Sequence, residues 1–296
     1  MNPAAREGAL VRVMPVVFVL IWSTGFIVAR YGMPHAPPFK FLAARYGLSI
    51  LCFLPWIWLA RSRWPSGRTQ WLHLAVTGIL MHALYLGGVW AAVKAGMGSG
   101  LSALIVGLQP VLTAVWLSST GSQVDRRQWL GLAFGFAGLA LVVSRKFGQG
   151  DVGDHADLFG LSLAAMALLS ITVGTLYQKR FVKVCDVRTA SVVQLGAALV
   201  VTLPLALVEA ETMRWNGELA GAMAWSVLAL TLGGSSLLYL LIQRGAATAV
   251  TSMFYLVPPC TALMAWLLFS EPINAATLIG TALTAFGVSL VVRAAR

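Results

Sequence analysis

No acidic residue interrupts a long apolar stretch of this 296-residue chain. All ten (Glu7, Asp125, Asp151, Asp154, Asp157, Asp186, Glu209, Glu211, Glu218 and Glu271) fall in loops or at the ends of apolar stretches. A carboxylate is costly in hydrocarbon and is kept there where a proton or a cation must be handled. Its absence therefore removes the commonest proton carrier and the commonest counter-ion for a permanently cationic compound. Charge of either sign is scarce, at 10% of residues, whereas soluble domains carry roughly 25%. The three cysteines, Cys52, Cys185 and Cys260, show no paired spacing and adjoin no histidine cluster, which supports neither a disulfide framework nor a metal site. No phosphate-binding loop is present, so the chain by itself cannot pump with ATP. A membrane enzyme would need acidic or histidine clusters at the interface, and none appears. No cofactor is implied, and the chain is not read as an enzyme.

What is present is apolar: 58% of the residues are hydrophobic. A helix needs roughly 20 apolar residues to cross the hydrocarbon, and ten stretches come near that length. They run from Val13 to Ala29, Phe41 to Ala60, Trp71 to Val93, Met97 to Ser118, Trp129 to Ser144, Leu158 to Tyr177, Thr189 to Val208, Leu219 to Ile242, Ala246 to Phe269 and Ile273 to Val292. The first follows Arg6 and Arg12 like a secretory signal, yet it is too long, lacks a cleavage site and has a counterpart in the sixth, so it is kept as a span.

A shift of 149 residues lays the unusual residues of the chain on one another: Arg30 on Lys179, Gly47 on Gly196, Pro55 on Pro204, Gly96 on Gly245, Pro110 on Pro259, Gly131 on Gly280 and Gly138 on Gly287. One unit is written twice, as residues 1–148 and 149–296, and an internally duplicated membrane bundle is a common ground plan of transporters. Five spans fall in each copy. An odd number makes the second copy enter from the opposite side, so the expected fold is an all-α membrane protein of ten transmembrane helices in two inverted five-helix repeats. The join, Arg145 to Asp157, is polar with three glycines and reads as a linker. Both halves lie in one chain, so a monomer suffices.

A net charge of +11 would raise nucleic acid as a partner of a soluble protein. Here the cations sort by loop instead. Of the 21 Lys and Arg residues, Arg30, Lys40, Lys94, Arg145, Lys146 and Arg214 lie on one side, Arg45 lies within a span, and the rest lie on the other side. The richer side is read as cytoplasmic and holds both termini. The expected setting is a multi-pass protein of the cell inner membrane, whose partners are the bilayer and a small-molecule substrate, with no nucleic acid.

Polar residues within spans mark where that substrate could be held. The fourth span carries Ser99, Ser102, Val106, Gln109, Thr113 and Trp116 on one helical face; the ninth carries Thr248, Thr251, Tyr255, Pro258 and Ala262. Such stripes line a cavity or join helices. Pro110 leaves the Val106 carbonyl without an amide partner, Pro259 does so for Tyr255 and Pro258 for Phe254, making these three prolines hinge candidates. The third span offers His82 and Tyr85, with Trp90 further on; the eighth offers Ser236, Tyr239 and Gln243. Trp22 lies too deep for the aromatic belt at the interface. Arg45, about one turn inside the second span, has the reach to snorkel outward or can anchor a substrate carboxylate. The expected substrate-binding set is Trp22, Arg45, His82, Tyr85, Ser102, Gln109, Tyr239, Thr251 and Tyr255. Lys94 and Arg244 complement helix dipoles at span ends. Gly131, Gly135, Gly138, Gly280 and Gly287 mark close packing of the fifth and tenth spans.

Trp22 to Phe26 (WSTGF), Phe41 to Tyr46 (FLAARY), Gln109-Pro110, Ser270-Glu271-Pro272, and Gly280 with Gly287 resemble the EamA family of the drug/metabolite transporter superfamily over essentially the whole chain. Within it, amino-acid exporters of the YddG type are the nearest comparison. The resemblance implies ten helices with cytoplasmic ends, a central cavity between the halves, and export of small metabolites. Ser122 stands where the second copy has Glu271, so Glu271 is read as stabilising the start of the tenth span, with no role in binding. Small multidrug exporters of the superfamily use a glutamate in their first helix, and none is found here.

The expected function is a secondary transporter exporting small metabolites, foremost amino acids (aromatic or other neutral or zwitterionic), by alternating access. A nucleotide-sugar or phosphate-ester exchanger on the same fold is the alternative and would want several cavity cations; a membrane enzyme acting on lipid-linked substrates is the other. With no carboxylate inside, and with burial keeping His82 neutral, facilitated diffusion or substrate exchange is expected rather than proton coupling.

Overall fold

A computed structural model describes residues 3–119, 126–146, 157–243, 256–271 and 273–294. The described chain is helical throughout and forms ten helices: α1 (Pro3–Gly32), α2 (Pro38–Leu59), α3 (Arg68–Lys94), α4 (99–119), α5 (Arg126–Lys146), α6 (Leu158–Phe181), α7 (Val187–Val208), α8 (217–243), α9 (Val257–Phe269) and α10 (Ala275–Ala294). Of these, α2, α3, α6, α7 and α8 are long and apolar enough to cross a membrane, and the other five contain shorter apolar segments. Large apolar side chains such as Trp58, Leu59, Leu158, Leu207 and Val208 point outward from the bundle. A soluble surface would not tolerate so much exposed hydrocarbon, whereas a lipid-facing one requires it.

Local sequence starts the second-half helices. Asp157 accepts from the Gly160 amide at 2.7 Å, Asp186 from Arg188 at 2.9 Å and Asn216 from Leu219 at 2.8 Å, each satisfying amides that have no partner within the first helical turn. The Arg188 side chain, bonded to Asp186 at 2.7 Å, holds that carboxyl below its usual range. Its contribution is present at neutral pH and is lost as the pH falls into the acid range.

First-half helices α2 and α4 have no side-chain cap of their own. Their caps come from the other half. Glu209 accepts from the amides of Phe39 (3.0 Å) and Lys40 (2.8 Å), and Glu271 from the Ser99 amide (3.1 Å), the Ser99 hydroxyl (2.9 Å) and the Gly100 amide (3.4 Å). Glu271 therefore corrects the sequence reading: it stabilises the start of α4, not of α10, because the chain turn at Ser270 sets its carboxylate against the free amides of a neighbouring helix.

Three helix pairs join counterparts from the two halves: α5 with α10, α2 with α7, and the first part of α4 with α9. Several further contacts come as image pairs under the 149-residue shift. α3 meets α6 and α7, while its counterpart α8 meets α1 and α2; α9 meets α1, while α4 meets α6. At the α5–α10 crossing the Thr284 hydroxyl approaches the carbonyl of Gly135, its counterpart in the first copy, at 3.4 Å. A Cβ on Gly138 would strike the Gly280 carbonyl, and one on Gly287 would strike that of Gly131. These are two images of one contact, in which backbones touch because neither helix has a side chain there.

Loops cluster at two ends. At one end Lys94 pairs with Glu211 at 2.7 Å, His35 bonds Glu218 at 2.7 Å, and the Arg214 amide donates to the His35 carbonyl at 2.8 Å. At the other, Gln70 donates to the Lys183 carbonyl at 2.9 Å and Thr189 to that of Arg63 at 3.1 Å.

Gly138→Val should lower the melting temperature of the purified protein, because an added side chain in a filled crossing costs about 1–3 kcal/mol. Gly47→Ala, where no atom lies within 4 Å of the added carbon, should hold or raise it, because alanine favours the helix over glycine by about 0.5–1 kcal/mol. Equal melting temperatures for the two variants would contradict the tight α5–α10 crossing.

Candidate functional site

Two helices depart from α geometry at equivalent places. Ile79–Leu84 of α3 and Ser226–Ser235 of α8 wind as π-helix, a wider turn that shifts hydrogen bonds and is frequent at functional sites. In α8 the Thr231 hydroxyl donates to the Ser226 carbonyl, five residues back, at 2.9 Å. In α3 the His82 carbonyl accepts from Tyr46 of α2 at 2.8 Å.

Between these segments lies a partly open cavity. Both halves line it: Trp22, Phe26, Arg45, His82, Tyr85 and Trp90 from the first, and Gln178, Gln194, Leu230, Ser235 and Tyr239 from the second. Its walls are chiefly aromatic and aliphatic with a few polar groups, the composition of a site for a small organic molecule. The rings of Trp22 and Tyr85 lie parallel with centroids 6.5 Å apart. Phe41 stacks behind Trp90 at 4.5 Å.

Arg45 is the charged residue of this lining. Only 4% of it is exposed, which overturns the snorkelling expectation. Seven residues into α2, about 10 Å from the helix start, it turns inward instead. Its Nε donates to the Thr231 hydroxyl at 3.1 Å, and the guanidinium lies 6.0 Å from the Trp90 ring centroid. Among the described residues no carboxylate pairs with it.

Of the expected site residues, Trp22, Arg45, His82, Tyr85 and Tyr239 meet in this cavity. The Tyr239 hydroxyl also lies 3.1 Å from the Cys185 sulfur. Gln109 and Ser102 are buried but do not line it. The Gln109 amide instead donates to the Thr175 hydroxyl of α6 at 3.0 Å, and the Ser102 hydroxyl is buried without a hydrogen-bond partner. Thr251 and Tyr255 lie outside the described residues. Pro110 does not kink a continuous helix. α4 is interrupted at Gly107 and Leu108, and Pro110 sits in the first turn of the second piece, where its missing N–H breaks no bond. Pro258 and Pro259 likewise stand in the first turn of α9.

Sequence reading missed Gln178, Gln194 and Thr231. The repeat held the signal for two of them. Shifted by 149 residues, Arg45 falls on Gln194 and His82 on Thr231. The Arg45–Thr231 contact thus has an image: the Gln194 amide faces His82, although its Nε2 has no partner at hydrogen-bonding distance and angle.

The sequence pattern of the EamA-like transporter family matches the chain twice, over residues 12–144 and 158–293. The chain belongs to the EamA-like transporter family. Among relatives of this EamA-like protein, an uncharacterized transporter of Archaeoglobus fulgidus is 25% identical over 92% of this chain and 93% of its own. The uncharacterized inner membrane transporter YedA of Escherichia coli K12 is 24% identical over 83% and 78%. A protein of Salmonella typhimurium named probable amino-acid metabolite efflux pump is 24% identical over 66% and 62%. A solved crystal structure aligns over 94% of both chains with a TM-score of 0.65 at 17% identity, and so shares the fold. Family and relatives make the chain a membrane transporter.

Gln109→Ala should lower stability by about 1 kcal/mol through the lost bond to Thr175, yet leave transport per folded molecule near that of the parent. Tyr85→Ala, which removes a buried ring and also lowers stability, should cut transport per folded molecule. Uptake normalised to folded protein separates the two, and a transport defect confined to Gln109→Ala would move the site toward α4.

Proposed function

We propose that this protein is a secondary carrier exporting small metabolites, foremost neutral or zwitterionic amino acids, across the cell inner membrane. The observation that carries the reading is the cavity lined by both halves between two π-helical segments. The efflux-pump names of relatives in Salmonella typhimurium and Escherichia coli point the same way, and the reading extends the sequence resemblance to amino-acid exporters of the YddG type.

Residues 1–148 and 149–296 act in this reading as inverted five-helix repeats with both termini cytoplasmic. Two copies whose contacts exchange in pairs have two arrangements of similar energy, related by swapping the conformations of the halves. The cavity then opens to one side as the ties at the Lys94–Glu211 end part, and to the other as the Gln70–Lys183 end parts. One chain suffices. The nucleotide-sugar reading is disfavoured, because a diphosphate wants several cations and the described lining supplies Arg45 alone.

The cycle runs without protons, since no carboxylate stands within the spans. Counterflow in proteoliposomes across a panel of amino acids should show exchange of neutral members. An imposed pH gradient should not concentrate them. Accumulation driven by that gradient and abolished in His82→Ala would overturn the uncoupled cycle, and absence of counterflow for every member would overturn the amino-acid reading. For topology, with Cys52, Cys185 and Cys260 replaced, a cysteine at position 211 should label from outside intact cells and one at position 63 should not. The reverse pattern would refute the proposed orientation.

A further inference from the structure

The two copies give the cavity two matching poles that differ in charge. One is Arg45 with Thr231; the other, at the repeat-related positions, is Gln194 with His82. The charge of an arginine that is only 4% exposed must be compensated, because an isolated cation out of water is unfavourable. The protein provides a hydroxyl and an aromatic face, at 3.1 and 6.0 Å, and among the described residues no carboxylate lines the cavity. Nε is engaged by Thr231, which leaves the forked end of the guanidinium as the group available to the cavity. That fork matches a carboxylate in geometry as well as charge.

Among the described residues no anionic side chain lines the cavity to pair with an ammonium, Arg45 repels a second cation, and the opposite pole holds the Gln194 amide nitrogen, which has no partner in the protein. The remaining lining, with Trp22, Phe26 and Tyr85, suits an apolar or aromatic body.

We infer that the substrate is recognised by a single carboxylate at Arg45, that its amino group is dispensable, and that apolar and aromatic monocarboxylates are ligands of this cavity alongside amino acids. The inference deepens the proposed carrier function by naming the group the site selects. Dicarboxylates are excluded, because the second pole is neutral and would bury an unpaired charge.

The test is ligand-induced thermal stabilisation of the full-length protein in detergent, followed by counterflow. Four probes share one ring: L-phenylalanine, 3-phenylpropionate, 2-phenylethylamine and phenylalanine methyl ester. The first two should stabilise the protein at comparable concentrations, and the amine and the ester should not. In Arg45→Gln the apparent affinity for both acids should fall about 100-fold, with substantial recovery in Arg45→Lys. The inference fails if the amine or the ester stabilises as well as the acids, if phenylpropionate has no effect where phenylalanine does, if Arg45→Gln binds the acids unchanged, or if no acid binds. Should Arg45→Gln not fold, the four probes on the unaltered protein decide alone. Stabilisation by the acids with no counterflow of any amino acid would remove the exporter reading and leave the carboxylate site standing.

Discussion

Hydrocarbon offers a polar group no partner, so every amide, hydroxyl and charge below the headgroups must be satisfied within the protein. In this chain the two halves do much of that for each other. Glu209 and Glu271 of the second half close the open amides of α2 and α4 in the first, and Thr284 reaches across to Gly135. Arg45 of the first half rests on Thr231 of the second. A half on its own would leave these groups without partners, which ties helix capping, the α5–α10 crossing and the site to the same assembly.

The cavity follows from that arrangement. Where glycines allow contact, as at Gly138 and Gly280, backbones meet and no space remains. Where α3 and α8 widen into π-helix, hydrogen bonds shift to five-residue spacing, and large side chains such as Trp90 and its counterpart Tyr239 are turned toward the interior. The same backbone departure occurs in both copies, but the side chains on it have diverged: Arg45 against Gln194, and His82 against Thr231. At positions equivalent under the 149-residue shift, divergence placed the charge on one side of the cavity only. Among the described residues no carboxylate pairs with this cation, and a buried cation without a carboxylate is unfavourable.

Sequence alone determined much about this protein. The apolar stretches and the 149-residue repeat read directly as a duplicated helical membrane chain, because hydrophobic length and repetition are properties of the chain in one dimension. Trp22, His82, Tyr85 and Tyr239 were legible as cavity residues for a similar reason: a polar or aromatic side chain deep in a span has few places to go. Tertiary structure alone decided the rest. Gln109 is as polar as Gln194, yet one meets Thr175 and the other the cavity, since only packing fixes which helix face looks where. Glu271 caps a helix 172 residues away in sequence, and Arg45 turns inward although its length would let it reach the interface. Both outcomes depend on which partner lies within about 3 Å in space, a distance that spacing along the chain does not encode.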